Sequence, residues 1–128
     1  MSPFFLHDNP LLLACDLARG WCVFAFADGR VQLDFGPAAC LLPATEFPKL
    51  TALIGGCQDM AGQTCDAMRR CRAGTVCFIA QHQIFTLIAG GAVLRFRPAE
   101  FAALSELLQD ALFTMTELLS EERRFCLN

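Results

Sequence analysis

The first half of the chain combines alternating apolar and polar positions with one stretch of helical spacing. Trp21 to Ala27 is a continuous apolar run, and Asp28-Gly29 is a dipeptide that favours two-residue hairpin turns. Val31, Leu33 and Phe35 then alternate with polar residues across the return strand, Arg30 to Phe35. A third strand is predicted over Ala38 to Leu42, and Leu11 to Asp16 is a candidate for a strand in front of these three.

A helix is predicted directly after the third strand. It is expected to begin near Ala44 or Thr45, because Pro48 is tolerated only in a first helical turn, and Gly55-Gly56 ends the pattern. The apolar positions that recur at helical spacing are Phe47, Leu50, Leu53 and Ile54.

The second half repeats this order of elements. Strands are predicted over Thr75 to Ala80, Ile84 to Ala89 and Ala92 to Phe96, followed by a helix from Pro98 to about Arg124. The stretch Cys65 to Arg72 aligns with the leading strand of the first half, although it is far more polar. The repeated unit is therefore β3α, possibly β4α.

The two halves also match residue by residue. When the chain is shifted by 54 positions, Gly20 to Ile54 lies on Gly74 to Leu108 without a gap and with nine identities in 35 positions, where chance would give roughly three. We therefore predict an α+β fold built from an internally duplicated unit, with an antiparallel sheet, helices on one face and pseudo-twofold symmetry. The chain is interpreted as a single domain, 1–128, with repeat 1 at about 11–56, a linker at 57–73 and repeat 2 at about 74–124. The identical pairs are Gly20/Gly74, Phe24/Phe78, Leu33/Leu87, Gly36/Gly90, Ala38/Ala92, Glu46/Glu100, Phe47/Phe101, Leu50/Leu104 and Leu53/Leu107.

One strand face differs in polarity between the halves. The outward positions of the return strand are polar in the first half, and their equivalents in the second half are Ile84, Thr86 and Ile88. An apolar face of this kind requires a cover, either from the same chain or from another.

The second helix is predicted to be much longer than the first. Its apolar residues recur at alternating steps of three and four, which is typical of a helix that packs along another helix. Two interpretations stay open: one long helix lying across its own sheet, or a homodimer that uses the helix end or the apolar strand face. The candidate interface residues are Ile84, Thr86, Ile88, Ala111, Met115 and Leu118.

Composition narrows the function classes. The chain is 55% hydrophobic and 18% charged, with a net charge of -3. Clustered lysine and arginine would be needed to bind phosphate backbones, so nucleic acid is not an expected partner. The high apolar fraction suggests that a homo-oligomeric contact or a protein partner hides part of the surface.

The eight cysteines do not indicate a secreted disulfide framework. Asp8 and Pro10 interrupt any apolar run at the N-terminus, so we expect neither a signal peptide nor a membrane span, and a cytoplasmic location with free thiols. Leu11 to Cys15 is similar to a bacterial lipoprotein cleavage box, but it lacks the charged start and the longer apolar stretch that precede such a box. Cys22, Cys40 and Cys77 lie inside apolar strands and are interpreted as structural.

No catalytic constellation and no cofactor are predicted. The weak alternative is a metal or thiol site formed by Cys57, Cys65, Cys71 and His82, whose spacings match no common zinc motif. The leading hypothesis is a cytoplasmic, non-catalytic module for self-association or protein-partner binding. The rival is a thiol/zinc-site or small-ligand-binding protein that uses the linker or the groove between the repeats.

Overall fold

The computed structural model describes residues 10–127, with side chains described through Glu121. The described residues form eight strands, two helices and a 3-10 turn at Gln58–Met60. In chain order the elements are β1 (Leu11–Asp16), β2 (Trp21–Ala25), β3 (Arg30–Asp34), β4 (Ala39–Pro43), α1 (Phe47–Gly56), β5 (Ala67–Cys71), β6 (Gly74–Ile79), β7 (Ile84–Ala89), β8 (Ala92–Phe96) and α2 (Pro98–Leu127).

The predicted α+β class and the duplicated unit are confirmed. Each half is a four-stranded antiparallel meander followed by a helix, so the unit is β4α and the polar leading strand of the second half exists as β5. The eight strands are divided between two sheets: β1–β4 form sheet A, and β5–β8 form sheet B. The stretch 57–73, interpreted from the sequence as a linker, therefore contributes an edge strand to sheet B.

The repeat contains a one-residue difference in its first hairpin. Ala25 pairs with Val31 around residues 26–30, whereas Ile79 pairs with Ile84 around residues 80–83. The ungapped alignment is therefore wrong across β2 and β6, and the identities at Gly20/Gly74 and Phe24/Phe78 do not mark equivalent places. The other seven identities stand, because β3–β4 and β7–β8 keep the offset of 54, as when Leu33 faces Cys40 and Leu87 faces Leu94.

The turn at Asp28-Gly29 explains this difference. The Gly29 N–H donates to the Phe26 carbonyl oxygen (3.1 Å), and the Phe26 N–H donates to the Arg30 carbonyl oxygen (2.9 Å). Gly29 has φ +87°, which makes this a three-residue hairpin loop with a left-handed last residue rather than the predicted two-residue turn. In the second unit the corresponding left-handed position is held by Gln83, with φ 52°.

The helices cross between the units. α1 contacts β5 and β6 of the second unit, while α2 contacts β1 and β2 of the first unit as well as β7, β8 and α1. Gly74 in β6 illustrates how close this packing is, because a Cβ there would lie 3.4 Å from Leu50 of α1. Neither unit can bury its apolar face without the other, so the two form one core.

Aromatic side chains join the halves of that core. The rings of Trp21, Phe35 and Phe96 lie 5.5 to 5.8 Å apart in edge-to-face arrangements, which joins sheet A to sheet B. Phe101 of α2 stacks on Phe85 of β7 with ring centroids 4.0 Å apart.

The backbones of the two sheets also touch. The buried Cys40 thiol donates to the Ala89 carbonyl oxygen at 3.2 Å, and burial raises the pKa of this thiol to about 11. Gly90 follows with φ +55°, and a Cβ there would lie 2.5 Å from the Leu41 carbonyl oxygen. This close approach explains why glycine occupies position 90.

Candidate docking face on sheet B

Sheet B has one buried face and one open face. Val76, Phe78, Phe85 and Leu87 point into the core and are fully buried. The side chains between them point the other way, because successive residues of a strand alternate between faces and register partners share a face. We call these side chains the outer face of sheet B; its residues are Met68, Arg70, Thr75, Cys77, Ile79, Ile84, Thr86, Ile88, Val93 and Arg95.

Each of the four strands places one exposed apolar side chain on this outer face. Ile88 pairs with Thr75 on one side and Val93 on the other, and the exposed fractions of Ile88 and Val93 are 44% and 62%. Met68 on β5 is 59% exposed, and Ile79 on β6 is also exposed. In the described part of the chain these four side chains are open to solvent, with the half-buried Thr75, Cys77 and Thr86 lying between the Met68/Ile79 pair and the Ile88/Val93 pair.

Cationic side chains stand at two corners of the face. Arg70 lies on the edge strand β5 and Arg95 on the edge strand β8, and both are exposed. No acidic residue of β5–β8 lies on this face, since these four strands contain none. The outer face of sheet B is thus positively charged, although the chain carries a net charge of -3.

The outer face of sheet A differs at its centre. Arg30, Gln32 and Asp34 of β3 occupy the positions that Ile84, Thr86 and Ile88 occupy on β7. The exposed large apolar side chains of this face are Leu12 and Leu41 on the edge strands β1 and β4, and Phe24 of β2 is half-buried.

The structure divides the six candidate interface residues into two groups. Ile84, Thr86 and Ile88 all lie on the outer face of sheet B, as their alternation suggested. The proposal for α2 needs a correction, because Ala111 is 0% exposed and belongs to the core. Ala111 is the equivalent of Cys57, which is also fully buried, so extending the repeat by one turn of helix would have placed it correctly. Met115 and Leu118 are half-buried and pack against the core.

The second half of α2 exposes apolar side chains in a less continuous way. Phe113 is 68% exposed and Leu119 is 51% exposed, while Leu112 is half-buried against the core. The interpretation that α2 lies within its own chain holds fully for the turns up to Ala111, and Leu112, Met115 and Leu118 continue the contact on one side of the helix.

The four candidate metal ligands do not form a cluster. Cys57 is buried at the end of α1, and Cys65 is exposed just before β5. Cys71 is exposed as the last residue of β5, and His82 is exposed at the tip of the β6–β7 hairpin. Among the described residues, no group of three or more His, Cys, Asp or Glu side chains is placed to hold a metal ion. Burial raises the pKa of the Cys57 thiol, and Asp59 raises it further, against the opposing effect of Arg69. A raised pKa disfavours the thiolate that metals require.

A groove runs between the two units. Its volume is about 360 Å³, and it lies where the end of β1 meets α2. Three carboxylates, Asp16, Glu106 and Asp110, line it beside Cys15 and Leu17. A second cavity of about 220 Å³ lies between the 3-10 turn and β5. Neither of them encloses an apolar ligand, because both are open to solvent and carry acidic side chains beside the apolar ones.

Two residues of the outer face of sheet B, Met68 and Val93, are not found from the sequence. Met68 lies on β5, which the sequence indicates only through its alignment with β1. Val93 lies in the predicted strand Ala92 to Phe96, for which no inward and outward sides are predicted. The hairpin register supplies both faces, because Met68 pairs with Cys77 and Val93 pairs with Ile88. The alternation of β8, in which Leu94 and Phe96 point inward, was the signal that would have placed Val93.

No protein-family model, no curated protein and no solved structure matches this chain. Within the residues that the structure describes, no helix combines the length and apolar character needed to cross a membrane.

Proposed function

We propose that the protein is a cytoplasmic, non-catalytic module that self-associates into a twofold dimer through the outer face of sheet B. The single observation that carries the proposal is that every strand of this face presents an exposed apolar side chain, namely Met68, Ile79, Ile88 and Val93. A second copy of the chain is the occupant to which we commit, because twofold dimers are by far the commonest oligomers of soluble proteins.

The arrangement of residues on the face suits a twofold axis parallel to the strands. Such an axis stacks β5 of one copy on β8 of its partner and β6 on β7. Arg70 then lies over the partner's Val93, and Arg95 lies over the partner's Met68, so that no arginine faces another arginine. The aliphatic part of each arginine covers apolar surface while its guanidinium reaches solvent at the edge.

The small area of the outer face of sheet B indicates a weak, reversible dimer. Four strands about 4.8 Å apart and about five residues long give a flat area of roughly 300 Å² on each copy. Even with the relief of the side chains, the total is at or below the roughly 1,200 Å² that marks the low end of stable interfaces. We therefore expect a reversible dimer with a dissociation constant on the order of tens of micromolar.

Sedimentation equilibrium over about 1 to 500 μM protein tests the proposal, since this range brackets the expected constant. The expected result is a mass that rises from that of the 14.0 kDa chain towards twice that value. A mass that stays at 14.0 kDa across the whole range contradicts the proposal.

A matched pair of variants locates the interface. Ile88→Thr with Val93→Thr removes apolar surface from the outer face of sheet B while keeping β-branched residues that suit strands. Leu12→Thr with Leu41→Thr makes the same kind of change on the outer face of sheet A. The first pair is expected to weaken the dimer at least tenfold, and the second to leave it unchanged; the reverse outcome assigns the contact to sheet A and overturns the proposal.

A further inference from the structure

Two cysteines face each other across the first hairpin. Cys15 of β1 and Cys22 of β2 are Cα partners in the antiparallel ladder, so both side chains project from the same face of sheet A. Directly opposed residues in such a ladder have Cα atoms about 4.5 to 5.5 Å apart, and disulfides form at Cα separations of about 4.4 to 6.8 Å. The backbone is therefore already arranged for a bond between the two sulfur atoms.

The two thiols are reached from solvent to different degrees. Cys15 is exposed, whereas Cys22 is half-buried between Cys15 and Asp34, its partner on β3. Partial burial, the neighbouring Cys15 thiol and the Asp34 carboxylate raise the pKa of Cys22. An incoming reagent thus meets Cys15 first, with Cys22 held beside it as a second thiol.

The pair is distinctive among the described strands. The other strand cysteines have no cysteine opposite them. Cys40 pairs with Leu33, Cys77 pairs with Met68 and Thr86, and Cys71 pairs with Gly74. The second unit has no equivalent pair, since no two of its cysteines are register partners.

From this juxtaposition we propose that Cys15 and Cys22 form a dithiol modification site, which a low-molecular-weight disulfide such as oxidised glutathione converts to an intramolecular disulfide. The Cys15 thiolate attacks one sulfur of oxidised glutathione, forming a mixed disulfide and releasing one glutathione thiolate. Cys22 then loses its proton and attacks the Cys15 sulfur, which closes the protein disulfide and releases the second glutathione. The two protein thiols are oxidised, and one glutathione disulfide is reduced to two glutathione thiols. The bond ties the edge strand β1 to β2.

The sequence allows a direct assay on the full chain. Trypsin cleaves after Arg19 and Arg30, so that Cys15 lies in residues 1–19 and Cys22 in residues 20–30, with no other cysteine in either peptide. The protein is incubated with oxidised glutathione, free thiols are alkylated under acid quench, and the digest is mapped without reduction. The expected product joins the two peptides and lacks two hydrogens relative to the reduced pair, with no glutathione retained on Cys15.

Cys22→Ser is the matched variant, because it removes the second thiol and leaves the first. It is expected to accumulate glutathione on residues 1–19, as the exposed Cys65 and Cys71 do in both proteins. The inference is overturned if Cys15 of the wild-type chain retains glutathione while Cys22 stays free, or if Cys15 is joined to any other cysteine. The wild-type map alone decides between these outcomes, so the inference stays testable even if the variant does not fold.

Discussion

The two sheets share their inner faces and differ on their outer faces. Val31 and Leu33 of β3 are fully buried or nearly so, as are their equivalents Phe85 and Leu87 of β7. Between them, Gln32 of the first unit corresponds to Thr86 of the second, and the flanking charges of β3 are replaced by isoleucines. The positions that build the common core kept their character, while those that face outward diverged. This divergence supports the proposed contact through sheet B, for which sheet A has no equivalent.

The largest expected effect tests whether the two units form one core. Phe96→Ala removes the ring that contacts Trp21 and Phe35 of the first unit, and should lower the free energy of unfolding by about 3 to 5 kcal/mol. Phe113→Ala, at an exposed position of α2, should change it by less than about 0.5 kcal/mol. Chemical denaturation measures both. A small effect at Phe96 would mean that the two units are stable separately.

The next largest effect on the free energy of unfolding is expected at Gly36 and Gly90, which lie in equivalent turns. Gly36 and Gly90 both have positive φ, but a Cβ on Gly36 would meet nothing within 4 Å, whereas one on Gly90 would clash with β4. Gly36→Ala should cost about 1 to 2 kcal/mol for the left-handed backbone alone. Gly90→Ala should cost about 1 to 3 kcal/mol more, because the sheets must move apart. Equal unfolding free energies for the two variants would contradict the close contact between the sheets.

Alkaline pH tests a difference between the two units at the buried Cys40. Leu94 holds the equivalent place in sheet B, so only the first unit buries a titratable group there. Burial raises the folded-state pKa of Cys40 from 9.0 to about 11, so its contribution is complete below pH 9.0 and is lost as the pH rises towards 11. The expected loss is about 2 kcal/mol over this range.

The control for this effect is Cys40→Ala. The variant keeps the seven other cysteines and the single lysine, Lys49, and the chain has no tyrosine, so a difference between the two proteins reports on Cys40. The variant should show a shallower decline of unfolding free energy with pH than the wild-type chain. Parallel declines in the two proteins would show that other groups cause the loss.

The smallest expected effects concern the outer faces. The Ile88→Thr, Val93→Thr variant should lose less than about 1 kcal/mol of folding stability, because both side chains are largely exposed. The same two changes should weaken the dimer by at least tenfold, which is about 1.4 kcal/mol. A loss of folding stability that equals the loss of dimer stability would mean that the variant damages the fold rather than the contact.

Much of the fold follows from the sequence because the patterns are local. The alternation in β3 and the helical spacing from Phe47 to Ile54 are both found in the structure. The division into two sheets does not follow, since it depends on the contact of Cys40 and Gly90 across the units. The length of the β2–β3 hairpin was also missed, because Asp28-Gly29 serves in a three-residue loop as well as in a two-residue turn.

The outer face of sheet B follows from the sequence only in part, because local patterns again give only part of it. Ile84 and Ile88 show their exposure through alternation within one strand, whereas Met68 joins the face only through its pairing with β6. Ala111 was assigned to a surface because a helical stripe has the same spacing whether a sheet or a second chain covers it. The opposition of Cys15 and Cys22 depends on the register shift between Leu12 and Ala14, which no local pattern specifies.

Protection of Cys77 from alkylation tests the central claim most directly. This half-buried thiol lies at the middle of the outer face of sheet B, beside Thr86, and is the only cysteine in tryptic residues 73–95. Its rate of alkylation, measured against that of Cys15 on sheet A, should fall as the protein concentration rises through tens of micromolar, the range expected for the dimer. A ratio that stays constant across all concentrations would contradict the assignment of this face to a second copy of the chain.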